Sequence, residues 1–455
     1  MSEIQIFELT KEYRERLQVA IEARDDDFVI QSLEGVQPAD ISTLLFEYDT
    51  EDSKYVFNML SKEVGSGILI ELDEDVRVPF MSSFDPIEIA GYVGLMDSDD
   101  GADFLMELPL RKREEIISHI DDEERAMNLL DLLRYDEDVA GGLMAKELIK
   151  AHLSWTVSRC IEEIRKQAEN VEKIYSVYVV DEKETLVGKV SLKKIVISNP
   201  DTHIADIYDE DVISVGTSED EDTVASIMQK YDLIAIPVIN ARGRLVGRIT
   251  IDDIVDVITE SAEEDMQLMS GVSSDVEEDD SVWAIAKARL PWLIIGMVGG
   301  LVAAQITQIF EAEMQVIMSL AYFIPLIMAT GGNVGIQSSS IMVQSLANKN
   351  VFSDSIWVRL GKALMVAAVN GSILAIMVFG AVILLFQNQL LAFTTSMALL
   401  NIVLLASFMG TITPILLDKK GINPAIASGP FITTANDLLG LAVYFLIARF
   451  LYSLG

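Results

Sequence analysis

Asp437 is the only charged residue in AIASGPFITTANDLLGLAVYFLIA, residues 425–448. The stretch is long enough to cross a bilayer, which takes ~20 apolar residues. A carboxylate at that depth costs roughly 3 kcal/mol or more unless it meets water, a cation or a partner. No Lys or Arg in the other apolar stretches lies at a matching depth. Two chemistries fit. One is a water-lined path along which cations pass Asp437. The other is a sealed carboxyl, protonated or hydrogen-bonded to Thr433, Thr434 or Asn436. Acids also crowd elsewhere. Asp97, Asp99, Asp100 and Asp103 are denser than helix capping requires. Glu263, Glu264 and Asp265, then Glu277, Glu278, Asp279 and Asp280, cannot pack together without counter-ions. Such a run is ordinarily a solvated face, but here it lies just ahead of the first apolar stretch.

The charge is unevenly spread. The 455 residues carry a formal charge of −37, yet residues 281–455 sum to +3 and residues 1–280 to −40. This describes a large acidic soluble body followed by a membrane domain. Such acidity argues against nucleic acid as a partner, because phosphates would be repelled, and it favours cations. A generally acidic, salt-adapted proteome would account for part of the charge without any site. Cys160 is the only cysteine, so an intrachain disulfide and a metal–thiolate cluster are excluded. His119, His152 and His203 show no zinc-like spacing. No phosphate loop, hydrolase metal motif or nucleophile–base pairing is present, so the chain does not read as an enzyme. The polar N-terminus carries no secretory signal.

Residues 1–135 read as short amphipathic helices, with apolar residues at three- and four-residue spacing as in Leu17, Ala20, Ile21 and Phe28, Val29, Leu33. Breaks fall at Gly35–Pro38, Asp73–Asp75, Asp85–Pro86 and Asp97–Gly101. Pieces of ~10–15 residues suit a superhelix of stacked helix pairs. Residues 136–258 change character. YSVYVVDEKETLVGKVSLKKIVI (175–197) and IAIPVINARGRLVGRITIDDIVDVI (234–258) repeat at an offset of 59 residues. Each has a β-run, a polar turn, a Leu-Val-Gly strand start, a second β-run and a helix. This resembles a tandem pair of CBS domains. The resemblance implies a regulatory module that binds adenine nucleotides such as ATP, with a Ser/Thr and an Asp three residues later at the ribose. Thr250 and Asp253 match that pattern; Ser191 is followed by Lys194 instead. Thr250 and Asp253 equally fit a helix cap.

Residues 259–288 begin as an acidic connecting helix, and 289–455 hold five apolar spans near 290–310, 316–346, 363–386, 390–417 and 425–452. Lys287 and Arg289 precede the first span. Glu311 and Glu313 follow it. Lys349, Arg359 and Lys362 follow the second, a neutral QNQ the third, and Lys419 and Lys420 the fourth. The positive-inside rule then places the N-terminus in the cytoplasm and the C-terminus outside, in the cytoplasmic membrane. ATGGNVGIQSSS (329–340) would be a poor isolated helix, but in a bilayer its small residues permit close helix approach. Pro325, Pro414, Pro424 and Pro430 are expected to kink or interrupt spans, freeing carbonyls to line a cavity. The fold expected is a multidomain membrane protein: α-helical superhelical N-domain, α/β CBS pair, connecting plug helix and a five-helix all-α transmembrane domain.

The whole order resembles the MgtE family of magnesium channels. DEDVAGGLM (136–144) resembles the family's join between helical and CBS domains, PLIMATGGNVGIQS (325–338) its second-span motif, and GPFITTANDLLG (429–440) its fifth-span pore motif. The resemblance implies a homodimer with the ion path between the two copies and Asp437 as the pore aspartate. Gly440 matches the glycine one turn later, and Thr433 stands one turn earlier. Regulatory Mg²⁺ sites carry over to Asp99 and Asp103, to Asp220, Asp222, Asp232, Asp253 and Asp256, and to Glu264 and Asp265. Departures are Ile336 for an expected Asn, Asn423 for an acid that often precedes the proline at the cytoplasmic mouth, and the non-acidic Ser261 and Gly67. Mg²⁺ dehydrates reluctantly, so a pore for it should hold the hydrated ion with a few oxygens. Asp437 would supply charge, and Thr433, Thr434 and nearby carbonyls acceptors, with Asn436 also assigned to the ion path. High cytosolic Mg²⁺ would bridge the facing acids and close the pore. The alternatives are an exchanger coupled to Na⁺ or H⁺ and a membrane-anchored metal or nucleotide sensor that transports nothing.

Overall fold

The computed structural model describes the chain except residues 1–9, 46, 73, 83, 169–170, 172, 274–275, 277–280, 312–317, 348–354 and 454–455. Glu277, Glu278, Asp279, Asp280, Glu313, Lys349 and the break at Asp73 therefore lie outside the described residues, as does the start of the expected second span. The chain divides into two units, Met1–Ile258 and Thr259–Gly455.

The first unit opens with ten helices among the described residues, between Lys11 and Leu132. Each runs 8–13 residues, too short to stand alone. They are held because alternate helices stack: 38–45 on 62–70, 62–70 on 86–93, and 86–93 on 110–117. Many of the breaks are capped by acids. Asp25, Asp49 and Asp122 each accept a hydrogen bond from the backbone of the helix that follows. The second half of the unit forms two three-stranded sheets. In one, β1 (Ile149–His152) pairs parallel with β2 (Val177–Val180), which pairs antiparallel with β3 (Leu186–Val190). In the other, β4 (Val215–Gly216), β5 (Ala235–Ile239) and β6 (Leu245–Thr250) repeat that order and sense. Leu186 and Leu245, 59 residues apart, open equivalent strands. The parallel strands β1 and β4 were not legible in the repeat. Apolar residues of the ten-helix stack and of the second sheet share one core, from Leu17 through Phe104 to Ile236 and Ile254.

Among its described residues the second unit contains five helices long and apolar enough to cross a membrane: Val282–Ile309, Met318–Ala347, Ile356–Phe386, Gln389–Asp418 and Pro424–Ser453. Their number matches the hydropathy reading, and the fourth and fifth start within one residue of it, but two starts do not match. The first and third helices begin seven or more residues early, so Lys287, Arg289, Arg359 and Lys362 lie on helices rather than in connections. Long basic side chains tolerate this because their apolar stems can lie along the helix while the charge reaches water. The prolines act unequally. Pro414 lies within its helix, Pro325 sits in a first turn, and Pro424 opens a short 3₁₀ turn, Pro424–Ala427. Gly429, with φ +60°, breaks the chain before the helix Pro430–Ser453. The connecting helix, Ile251–Ser270, ends at Gly271 with φ +83°. Residues 282–288, expected to belong to it, are the first turns of the first span.

Candidate functional site

Asp437 lies about two turns into the helix Pro430–Ser453 and is half-exposed. Among the described residues it has no hydrogen-bond or ion-pair partner. None of the polar neighbours expected to hydrogen-bond to it does so. Thr433 Oγ1 donates to the Gly429 carbonyl at 2.9 Å. Thr434 is pressed against the first span, where a Cβ on Gly299 would stand 2.1 Å from its Cγ2. Asn436 is 2% exposed, and neither its Oδ1 nor its Nδ2 has a hydrogen-bond partner. Successive helical residues point about 100° apart, so Asn436 turns inward where Asp437 does not.

Glycine makes this arrangement possible. In the second span a Cβ on Gly335 would lie 1.9 Å from Asn436 Nδ2, and one on Gly332 would lie 3.2 Å from Thr433 Cγ2 and 3.9 Å from Asp437 Oδ1. In the fourth span, Gly410 approaches the Gly335 carbonyl. Gly440 lies against Ile402. ATGGNVGIQSSS is accordingly helical, its poor propensity overridden by packing. Its serines make contacts the sequence did not reveal: Ser339 Oγ lies 2.9 Å from Ser428 Oγ, and Ser338 Oγ donates to Ser407 Oγ at 3.2 Å. Ile336 is half-buried in the same helix.

A second acidic site forms in the first unit. Asp97 stands at the cap of the helix Ser98–Met106 but makes no capping bond. Glu147, from the join to the sheets, takes that place. Its Oε2 accepts from the Ser98 amide at 3.2 Å and from the Ser98 hydroxyl at 2.6 Å. The acids of the first turn are thus left for another purpose. Asp99 is 8% exposed, and burial followed by Asp100, Asp253 and Asp97 pushes its carboxyl well above the usual range. Burial, then Asp253, Asp97 and Asp103, pushes Asp100 up to about 7, against the pull of Arg77. Asp103, one turn on, has an exposed side chain within electrostatic range of Asp100, Glu137 and Asp253. Asp100 was not among the expected ligands, although it stands in the same crowded run as Asp99 and Asp103.

Asp253 reaches this cluster from the start of the helix Ile251–Ser270. Its Oδ2 accepts from the Thr250 amide at 3.0 Å and the Thr250 hydroxyl at 2.8 Å. The pair expected at a ribose is therefore engaged with itself as a helix start. Arg248, 5% exposed, stands nearby: Nε donates to the Glu147 carbonyl, Nη2 lies 3.9 Å from Asp97 Oδ2, and Nη1 is buried without a partner. The other expected ligands scatter. Asp220 caps the helix Glu221–Lys230, accepting from the Thr223 amide, and Asp222 is exposed in its first turn. Asp232 lies just past the far end with φ +50°. A ten-residue helix separates the two ends by about 15 Å, so these acids cannot share one ion. Asp256 and Glu264 are exposed. Asp265 accepts from Asn423 Nδ2 at 2.9 Å. Among the described residues, no three acids or histidines converge as a ready-made metal cage.

Five apolar helices with the carboxylate of Asp437 set amid packed glycines, preceded by an acid-rich body that carries paired β-repeats, fit the class of cation transporters. Comparison with known proteins makes the assignment specific. Residues 324–447 match the family described as a divalent cation transporter, residues 36–138 the MgtE intracellular N domain, and residues 138–198 and 204–260 the CBS domain. The magnesium transporter MgtE of Thermus thermophilus is 31% identical over 96% of this chain and 97% of its own. That of Enterococcus faecalis is 37% identical over 71% of this chain and 72% of its own. The solved cytosolic domain of the Mg²⁺ channel MgtE in complex with ATP is 31% identical, with TM-score 0.51, and covers 54% of this chain and 99% of its own. The solved soluble part of a magnesium transporter, 28% identical with TM-score 0.50, covers 55% and 99%. The chain belongs to the MgtE family of magnesium transporters, and it is a multi-pass membrane protein.

Proposed function

We propose that the chain is a Mg²⁺ channel of the cytoplasmic membrane, closed from the cytoplasmic side by Mg²⁺ itself. The observation that carries this reading is Asp437: a half-exposed carboxylate within the fifth span, unpartnered among the described residues, with glycine-bearing helices packed around it. An ordinary membrane anchor gains nothing from that costly group. In a homodimer two such carboxylates would face one path, and their attraction for an ion scales with its charge. Thr433 and its bonded Gly429 carbonyl would offer oxygens to the ion's water shell, with Gly440 keeping the wall narrow. Asn436 and Thr434 shape the wall from behind rather than line it.

The acidic body would act as the sensor. Asp99, Asp100, Asp103 and Asp253 repel one another when no cation is bound. Asp220, Asp222, Asp232, Asp256 and Glu264 add sites for weaker, separate ions. Mg²⁺ biases the body only through tighter binding to its compact arrangement, and several weak ions together make the response steep. An adenine nucleotide would tune this. The test is flux in proteoliposomes. A Mg²⁺ gradient alone should drive uptake, unaffected by Na⁺ or pH gradients, and internal millimolar Mg²⁺ should shut it. Flux that requires a Na⁺ or H⁺ gradient would overturn the channel, and flux indifferent to internal Mg²⁺ would overturn the gate.

A further inference from the structure

One polar contact in the membrane unit ties the connecting helix to the turn that opens the fifth span. Asn423 Nδ2 donates to Asp265 Oδ1 at 2.9 Å, and Asn423 Oδ1 accepts from the Ala425 amide at 2.8 Å. The second bond fixes the orientation of the amide, so its NH₂ must face the carboxylate. Both side chains are half-buried. Among the described residues Asp265 has no ion-pair partner. Two close approaches seat the end of the helix beside this bond. The Met269 carbonyl lies where a Cβ on Gly429 would stand, at 2.2 Å, and Pro430 Cγ lies 2.5 Å from one on Gly271.

The chemistry of the pair is distinctive. An acid at position 423 would set two carboxylates at hydrogen-bond distance, and one of them would then need a proton or a cation. An amide needs neither, and its bond to a charged acceptor is stronger than one between neutral groups. We propose that Asn423 is an ion-independent latch: its amide fastens the connecting helix to the cytoplasmic mouth of the fifth span without taking up Mg²⁺. This deepens the gating reading above and rests on it. Closure at this contact adds nothing to the number of ions linked to the gate. The remaining acids supply all of the Mg²⁺ dependence, because the steepness of a linked transition counts the ions it binds.

The full-length protein in proteoliposomes tests this, with flux measured against internal Mg²⁺ for wild type, Asn423→Ala and Asn423→Asp. Asn423→Ala should raise flux at low internal Mg²⁺ by about tenfold, the worth of one hydrogen bond to a charged group, with the steepness of closure unchanged. Asn423→Asp should be as leaky without Mg²⁺ but close more steeply, by about one additional ion. Curves that superimpose on wild type, or Asn423→Asp closing with wild-type steepness, overturn the latch. A wild type insensitive to internal Mg²⁺ sinks the gating reading instead. The latch is then judged by limited proteolysis of residues 259–271 in EDTA: faster cleavage of Asn423→Ala supports it, and equal rates overturn it. Unchanged elution on size exclusion confirms that both variants fold.

Discussion

The two units of this chain use carboxylates in opposite ways. The first crowds them: Asp97, Asp99, Asp100, Asp103 and Asp253 form one acidic neighbourhood, and burial raises the carboxyls of Asp99 and Asp100 above the usual range. The second isolates one, Asp437, among glycines and small polar residues. Crowding makes a site that changes when ions arrive, because unbound acids repel and bound ones draw together. Isolation makes a site that ions can leave, because a single carboxylate holds a hydrated ion without caging it. A sensor and a path need these different settings.

Among changes that leave Asp437 in place, disturbing the helix packing around it should have the largest effect. Gly335→Ala places a Cβ on top of the Asn436 amide, whereas Gly300, in the first span, faces open space. Overpacking of that kind costs about 1–3 kcal/mol. Gly335→Ala should cut Mg²⁺ flux by tenfold or more, and Gly300→Ala should not. Equal fluxes would show that close approach of the second and fifth spans does not shape the path. Disturbing the crowded acids should have a smaller effect, on closure alone. Asp99→Asn with Asp100→Asn should leave maximal flux intact and raise flux at high internal Mg²⁺ several-fold, with a shallower response. An unchanged response curve would remove the cluster from the sensor.

The smallest effect is one of pH on stability. Asp100 has its carboxyl raised to about 7, against about 4 for an unfolded chain. Between those values the folded protein binds more protons than the unfolded one, so stability is fullest below about pH 4 and is lost as pH rises through 7. In Mg²⁺-free buffer the denaturant midpoint of the full-length protein should fall more between pH 5 and pH 7.5 than that of Asp100→Asn. Equal falls would show that Asp100 stays ionised throughout.

Elements with a long period were legible in the sequence. The five spans and the 59-residue repeat stand out because each repeats one pattern over many residues. What depended on direction was not. Asn436 and Asp437 are neighbours in sequence and were both assigned to the path, although the helical angle between them sends Asn436 into the packed interior. Asp97 looked like Asp25 or Asp49, yet Glu147, 50 residues away in sequence, had taken over its capping role. Thr250 and Asp253 fitted a ribose and a helix start equally, and only coordinates show them bonded to each other. Arg359 and Lys362 read as a connection because charge ends an apolar count before it ends a helix.

The central claim is that ions pass Asp437, and removing its charge measures this most directly. Mg²⁺ flux should be compared for wild type and Asp437→Ala reconstituted at equal density, with size exclusion showing that both assemble alike. The account predicts that flux through Asp437→Ala falls nearly to the level of protein-free liposomes. Flux equal to that of wild type would contradict it and leave the carboxylate outside the path.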